Sequence, residues 1–347
     1  MTTHIGIIGA GNISGTHARA ARAMSDVEIA AVFGTNAAKV RAFCAAHGGT
    51  AYSDFAAFLK HRPMELVLIG SPSGLHAEQG IAAAREGLHV LTEKPLDISL
   101  VKAEALVLAS EAAGVKLGVF FQDRGESSLL ALKRAIDAGS FGKPVLADAR
   151  VKWWRPEEYY SGSTWRGTLA MDGGGALINQ AIHTLDLLLW LWGDVVRVQA
   201  AKRTAVHRIE AEDTLVATLE FASGALGILQ AATSVYPGFP RRVELTGSNG
   251  TVAIEHDRVV SVYWQEPKTH SEFGGKASGN ASATSATVQD DRGHREILRD
   301  FLYAIESNLQ PACDGREGLR SMALAQAIYE SCRTGAPATP VAIPKPA

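Results

Sequence analysis

Hydrophobic positions in the first 120 residues fall into short, nearly unbroken runs separated by stretches of helical spacing. His4–Ile8, Ile29–Phe33, Leu66–Ile69, His89–Thr92 and Lys116–Phe121 are such runs, the pattern of strands buried on both faces. Thr16–Met24, Ala37–His47 and Gly80–Glu86 lie between them and read as helices. This alternation predicts a parallel sheet covered by helices. Beyond residue 122 the period changes. Val145–Lys152, Asp213–Phe221, Ala225–Thr233, Arg242–Thr246 and Val259–Trp264 have strand character, with turns at Gly224 and Gly247–Gly250, the pattern of an antiparallel sheet. Gly125–Ala138 and Gly167–Trp192 read as helices packed on one face of that sheet, leaving the other to a partner or to solvent.

The change of period sets a boundary between residues 1–122 and 123–347. Pro267–Asp291 is rich in Gly, Ser and Ala without periodicity; a lid, an oligomer contact and disorder are all open there. Glu296–Ser307 and Glu317–Thr334 read as amphipathic helices, and the tail after Pro337 as extended.

Composition narrows the function classes. With 347 residues there is chain enough for two cores. Lys and Arg number 34 against 36 Asp and Glu, a balance that points to neither nucleic acid nor a membrane surface as partner. Cys44, Cys313 and Cys332 are far apart without metal-ligand spacing, so no metal site is expected, and a reducing, cytoplasmic setting is. The apolar run at Ile5–Ile8 is too short for a signal peptide.

The candidate chemistry begins at the first strand. Gly9-Ala10-Gly11-Asn12-Ile13-Ser14-Gly15 follows it and opens a helix, the context a dinucleotide fingerprint requires. Gly9 permits the tight turn and Gly11 the close approach of a pyrophosphate, which Asn12 and Ile13 would meet with helix N-terminal N–H groups. The second strand ends in Gly34-Thr35-Asn36 where an acid usually holds the NAD ribose. Thr35 and Asn36 suit a ribose or a phosphate, and Lys39 with Arg41 favours NADP unless they are simply a solvated helix face. Ser71, Pro72 and His76 follow the third strand; His76 reads as a cap of the next helix as readily as a cofactor contact. Glu93-Lys94-Pro95 follows the fourth long strand and places Lys94 where a nicotinamide would lie.

Gly173-Gly174-Gly175 then opens what reads as a helix carrying Asn179 and His183 four residues apart, on one face among apolar neighbours. A buried functional pair and a core histidine bonded to Asp186 are both open. Lys152–Gly167 gathers Trp153, Trp154, Tyr159, Tyr160 and Trp165 with Arg155 and Arg166, suited to a sugar bearing a carboxylate or phosphate, or to packing. Tyr160, Trp165 and Arg166 are the substrate candidates, joined by Gln122 after the last strand of the first domain.

Together these segments resemble the glucose-fructose oxidoreductase/inositol dehydrogenase/rhizopine catabolism (Gfo/Idh/MocA) family. The matching residues are Gly9-x-Gly11-x-x-Ser14-x-x-His17, Ser71-Pro72-x-x-x-His76, Glu93-Lys94-Pro95 and Gly173-Gly174-Gly175-x-Leu177-x-Asn179-x-x-x-His183-x-x-Asp186. The resemblance implies an N-terminal Rossmann domain and a C-terminal α+β domain with a large, mostly antiparallel open sheet that forms a homodimer or homotetramer contact. It implies an NAD(P)-dependent oxidoreductase of a sugar, sugar acid, nucleotide sugar or cyclic polyol. Lys94 would support the reacting oxygen and His183 exchange its proton, with Glu93 beside the cofactor. Asn179 stands where many members have aspartate, so positioning is its expected part, and Asp186 could restore the missing charge. A redox-neutral enzyme with tightly bound NAD, and a cofactor-binding sensor without catalysis, are the alternatives.

Overall fold

The computed structural model describes residues 2–266 and 290–344. The chain divides into two compact units. The first ends at Gln122 and takes back a later segment up to Leu319; the second begins at Asp123 and resumes at Arg320.

In the first unit, β1 (Thr3–Ile8), β2 (Val27–Phe33), β3 (Thr50–Tyr52), β4 (Leu66–Ile69), β5 (His89–Thr92) and β6 (Leu117–Val119) form one sheet in the order β3-β2-β1-β4-β5-β6. Every pairing is parallel. The order reverses beside β1, which makes the carboxyl ends of β1 and β4 the place where an open α/β sheet takes a ligand. β4 is buried along its whole length, which explains its continuous apolar sequence. Helices α1 (Asn12–Arg22), α2 (Ala37–His47), α3 (Phe55–Leu59), α4 (His76–Arg85) and α5 (Leu100–Ala113) connect the strands. The short strand β3 and helix α3 escape the sequence pattern.

One element of this unit comes from far along the chain. Helix α9 (Arg292–Glu306) packs against α1, with His294, Ile297, Leu298, Phe301 and Ala304 buried. Gly118 makes room for it, since a Cβ there would meet the Phe301 ring at 2.7 Å.

The second unit is built on a seven-stranded sheet, ordered β13-β12-β11-β7-β10-β9-β8. Its strands are β7 (Pro144–Lys152), β8 (Val195–Arg203), β9 (Thr214–Phe221), β10 (Leu226–Ala232), β11 (Arg242–Gly247), β12 (Gly250–Glu255) and β13 (Arg258–Trp264). Only β7 and β10 pair in parallel; the other ladders are antiparallel. Helices α6 (Ser127–Asp137) and α8 (Ile182–Trp192) pack on this sheet and on each other. The short helix α7 (Glu157–Ser161) lies between β7 and α8 in sequence, and α10 (Gly315–Thr334) follows α9.

Burial of Leu185, Leu187, Leu188, Leu189, Leu191 and Trp192 anchors α8, each side chain contributing about 1.5–3 kcal/mol. Alternate positions of β9 and β10 point outward, and apolar residues stand among them. Val216, Leu226 and Ile228 are exposed there, beside Leu146 of β7.

The long helix read over Gly167–Trp192 is shorter. Regular helix begins only after the glycines, with one wide π turn over Ala176–Ala181 that runs into α8. The low-complexity segment expected to be a lid, a contact or disorder lies outside the described residues for 267–289. No helix among the described residues is long and apolar enough to cross a membrane.

Candidate active site

In the first unit the glycine turn has the form its sequence demands. Gly9 sits at φ +110, and a Cβ would come within 2.8 Å of the Gly70 carbonyl oxygen and the Ser14 hydroxyl. Gly11 is different. It is the N-cap of α1, without a side-chain cap, and a Cβ there would meet no protein atom within 4 Å. Packing does not require that glycine, whereas close approach of an anion to the α1 N-terminus does. The donors of Asn12 and Ile13 and the open space over Gly11 fit a dinucleotide pyrophosphate.

Thr35, Asn36 and Lys39 are exposed at the carboxyl end of β2. The Asn36 side-chain oxygen caps α2 by accepting from the Lys39 N–H at 3.0 Å, which leaves its amide N–H groups to donate. Ser71 donates its hydroxyl to Gln79 at 2.6 Å. His76 does not cap α4 with its side chain. Its ring is buried and ties two loops together, Nδ1 lying 2.7 Å from the Pro95 carbonyl and Nε2 2.9 Å from that of Ser71.

The Glu93-Lys94-Pro95 turn is held from inside. Glu93 is buried, and its carboxylate faces two imidazoles, with Oε1 3.0 Å from His17 Nε2 and 3.3 Å from His294 Nε2. Its other oxygen accepts from the Lys94 backbone N–H at 3.3 Å. Burial alone would raise the Glu93 pKa, yet the hydrogen bonds from His17 and His294 hold it well below the usual carboxylate range. Desolvation lowers the pKa of His17, against the pull of Glu93. The remaining ring nitrogen of His17, Nδ1, is buried with no hydrogen-bond partner among the described residues, as suits a neutral imidazole donating from Nε2. The Glu93 side chain, expected beside the cofactor, is therefore engaged in an internal network. Lys94 itself is half-buried.

In the second unit the glycine triplet is a packing device. Gly173 takes φ +77, a Cβ on Gly174 would lie 2.1 Å from the Tyr329 hydroxyl, and one on Gly175 would lie 1.8 Å from the Glu212 carbonyl oxygen. The chain must pass this close because Glu212 caps the π turn. Its Oε1 accepts from Leu177 N–H at 2.9 Å and Gly175 N–H at 3.2 Å, and its carbonyl accepts from Ala176 N–H at 2.9 Å. The Tyr329 hydroxyl donates to the same Oε1 at 3.0 Å. Burial, reinforced by the Glu212 charge, pushes that hydroxyl's pKa well above its ordinary value.

So fixed, the stretch from Ala176 to Leu189 is buried at every residue except Asn179 and His183. The two were expected to be a buried pair; they are half-buried and reach outward. Asn179 donates its amide Nδ2 to Asp172 Oδ1, and Asn179 Oδ1 accepts from Gln180 Nε2 at 2.5 Å. Asp172 is buried and its second oxygen accepts from Gly167 N–H at 2.8 Å. Asp186 does not restore charge in the expected way, because Arg124 already pairs both of its oxygens at 2.8 and 2.6 Å in full burial.

The aromatic segment divides into packing and polar parts. Tyr160 is buried, its hydroxyl 2.8 Å from Thr233 Oγ1, and burial pushes its pKa up to about 12. That hydroxyl is thus spent on anchoring α7. Tyr159 takes the polar position instead, accepting from Gln180 Nε2 at 3.0 Å. Arg155 donates to Gln180 Oε1 at 2.9 Å and lies over the rings of Trp153 and Tyr159. Arg166 stacks on Tyr159 at 4.4 Å and on Trp165 at 5.6 Å. Gln122 belongs to the first unit and packs against Gly293 at the start of α9.

Sequence reasoning had Tyr159 only as one of the aromatic set and Gln180 only as part of the Asn-Gln-x-x-His pattern, and it missed Asp172, Glu212 and His294. Asp172 stood beside a singled-out motif, which is a usable signal. Glu212 and His294 had none locally, since only the fold brings them in.

Comparison with known proteins gives the family. Residues 3–121 match the oxidoreductase family with an NAD-binding Rossmann fold, and residues 129–253 match the GFO/IDH/MocA C-terminal domain. The WlbA dehydrogenase of Bordetella pertussis, solved with NADH and UDP-GlcNAcA, superposes with a TM-score of 0.87 at 33% identity, covering 99% of this chain and 100% of its own. Its counterpart from Chromobacterium violaceum, with the same ligands, gives 0.88 at 30% identity over 99% and 97%. D-apiose dehydrogenase of Paraburkholderia graminis is 28% identical over 95% of this chain and 87% of its own. The chain belongs to the Gfo/Idh/MocA family of NAD-binding oxidoreductases.

Proposed function

We propose that this member of the Gfo/Idh/MocA family oxidises a ring CH–OH of a nucleotide-linked sugar acid with NAD as hydride acceptor. The observation that carries the reading is the exposure pattern of Ala176–Leu189, where Asn179 and His183 alone emerge from a buried wall. His183 offers an imidazole nitrogen, which takes the hydroxyl proton as a general base. Lys94 supports the charge that develops on the oxygen. Asn179, its amide oriented by Asp172 and Gln180, positions a substrate hydroxyl.

Bound NAD supplies the hydride acceptor. The Gly9–Ile13 turn would hold its pyrophosphate, Thr35, Asn36 and Lys39 its adenosine ribose, and Ser71, Pro72 and His76 would border the nicotinamide half. The basic pair Lys39 and Arg41 favours NADP by charge, while the two neighbours of highest identity given above carry NADH; NAD is the reading adopted.

A sugar acid is supported by the guanidinium and aromatic set of Arg166, Trp165, Tyr159 and Arg155, which suits an anionic sugar. UDP-GlcNAcA is the ligand of those same two neighbours. The exposed apolar positions Leu146, Val216, Leu226 and Ile228 support a homo-oligomer formed through the open sheet, in a cytoplasmic enzyme.

The test is nicotinamide absorbance during incubation with NAD or NADP and UDP-GlcNAcA, myo-inositol or free glucuronic acid. Reduction of NAD with the nucleotide sugar acid, and not with the other two, is expected. Binding of NADH without turnover of any substrate would favour a redox-neutral enzyme or a sensor.

A further inference from the structure

Three buried histidines bracket Lys94. His17 and His294 face the Glu93 carboxylate on one side of it, and His76 lies 2.7 Å from the Pro95 carbonyl on the other. His17 is 0% exposed and His294 2%. The rings of His17 and His294 both pack on Phe120, at centroid distances of 4.5 and 5.3 Å. Phe120 in turn is fixed to the strand that ends at the turn, its N–H donating to the Thr92 carbonyl at 2.9 Å.

A buried carboxylate is costly unless it is paired and hydrogen-bonded. What the carboxylate does is reach the Lys94 N–H with one oxygen while two imidazoles fix the other. Replacing either imidazole would leave a buried charge underpaired, and the turn would then rearrange to hydrate it.

We infer that His294, delivered by helix α9 from far downstream in the chain, is a positioning residue for Lys94. Together with His17 it clamps Glu93, and the clamp sets where the Lys94 amine stands. This rests on the reading of Lys94 as the group that supports the reacting oxygen. It also gives α9 a reason to rejoin the first unit.

The same three side chains, with ligand atoms within 4.8 Å of one another, make a set that could bind a divalent metal. The hydrogen-bonded reading is preferred because Glu93 Oε1 already receives both Nε2 atoms at hydrogen-bond distance.

The experiment uses the full chain as His294→Leu, His294→Gln and Lys94→Ala, and the double variant His294→Leu/Lys94→Ala. Two readouts are taken. One is kcat with NAD and UDP-GlcNAcA. The other needs no substrate: the ¹³C signal of reductively methylated Lys94, assigned by its loss in Lys94→Arg.

His294→Leu is expected to lower kcat about 100-fold, as a displaced catalytic group does, with the NADH Kd changed no more than about twofold. His294→Gln, whose amide can donate near the Nε2 position, is expected to recover most of that loss. In the Lys94→Ala background the Leu substitution is expected to cost nothing further. The Lys94 signal should move in His294→Leu and return in His294→Gln.

An equal loss of kcat in both backgrounds, or an unmoved Lys94 signal in a folded His294→Leu protein, overturns the clamp. Stoichiometric zinc or another divalent metal in the purified protein, lost with His294, also overturns it. If His294→Leu does not fold, Glu93→Gln takes its place, with the same shift of the Lys94 signal expected and an unmoved signal equally fatal. If Lys94→Ala retains wild-type turnover, the role given to Lys94 fails, while its methyl signal still decides whether His294 positions it.

Discussion

The Asn179 amide donates to the Asp172 carboxylate, seven residues before it and buried beneath it. Where many family members carry an acid at the position of Asn179, this chain keeps the acid one step away and lets an amide face outward. The exchange fixes the amide's orientation, because Asp172 accepts from its nitrogen and Gln180 donates to its oxygen.

Asn179→Asp is therefore expected to damage the enzyme instead of making it more typical. Two carboxylates in hydrogen-bond contact cannot both ionise easily, so one pKa rises and the pair titrates together. A loss of about 10- to 100-fold in kcat/KM near neutrality is expected, from a displaced positioning group. The pH–rate profile should gain an ionisation that wild type lacks. A variant as active as wild type across pH would show that Asp172 does not govern this position.

Glu212→Leu tests the packing of the glycine triplet. Glu212 is buried, and one of its oxygens accepts from two N–H groups and the Tyr329 hydroxyl. Leucine offers those donors no acceptor, at an expected cost of about 1–3 kcal/mol. Denaturant unfolding of the two proteins measures it directly, and an unchanged midpoint would contradict the capping role.

Neighbouring glycines are expected to fail differently. Gly9→Ala forces a side chain into φ +110 and within 2.8 Å of Gly70, so stability should fall. Gly11→Ala meets no protein atom; its melting temperature should hold while the NADH Kd rises about tenfold or more, as expected where backbone must approach a pyrophosphate. Fluorescence titration and thermal melts separate the two.

Stability should also depend on pH through the clamp. Glu93 has a depressed pKa, so its stabilisation is present above its unfolded value of about 4.3 and is lost as pH falls through the lower folded value. His17 is depressed by burial; the unfolded chain takes up its proton first, so stability also declines as pH drops below about 6.5. His17→Gln should flatten the decline between about pH 6.5 and 5 relative to wild type. An identical slope would mean that His17 is not held neutral.

Much of this was legible in the chain. Strands β1, β4 and β5 announce themselves because a strand buried on both faces needs an unbroken apolar run, and Leu66–Ile69 has one. The glycine fingerprint, Lys94 and the Asn179–His183 spacing were readable because their chemistry is local. The strands β8 and β12 were not, since Val195–Arg203 mixes exposed and buried positions and Gly250–Glu255 begins inside a turn cluster. The triplet Gly173–Gly175 suggested a helix start, whereas its cause is the approach of Glu212 and Tyr329 from distant sequence. Tyr159 and Tyr160 are adjacent and chemically identical; only burial tells which hydroxyl bonds Thr233 and which meets Gln180.

The central claim is that Lys94 and His183 carry the oxidation. Its most direct test is kcat for wild type, Lys94→Ala and His183→Ala with NAD and UDP-GlcNAcA, alongside NADH binding by fluorescence. Each substitution is expected to lower kcat about 10³-fold, as loss of an acid–base or oxygen-stabilising group does, with NADH still bound. Turnover within a few-fold of wild type in either variant would contradict it.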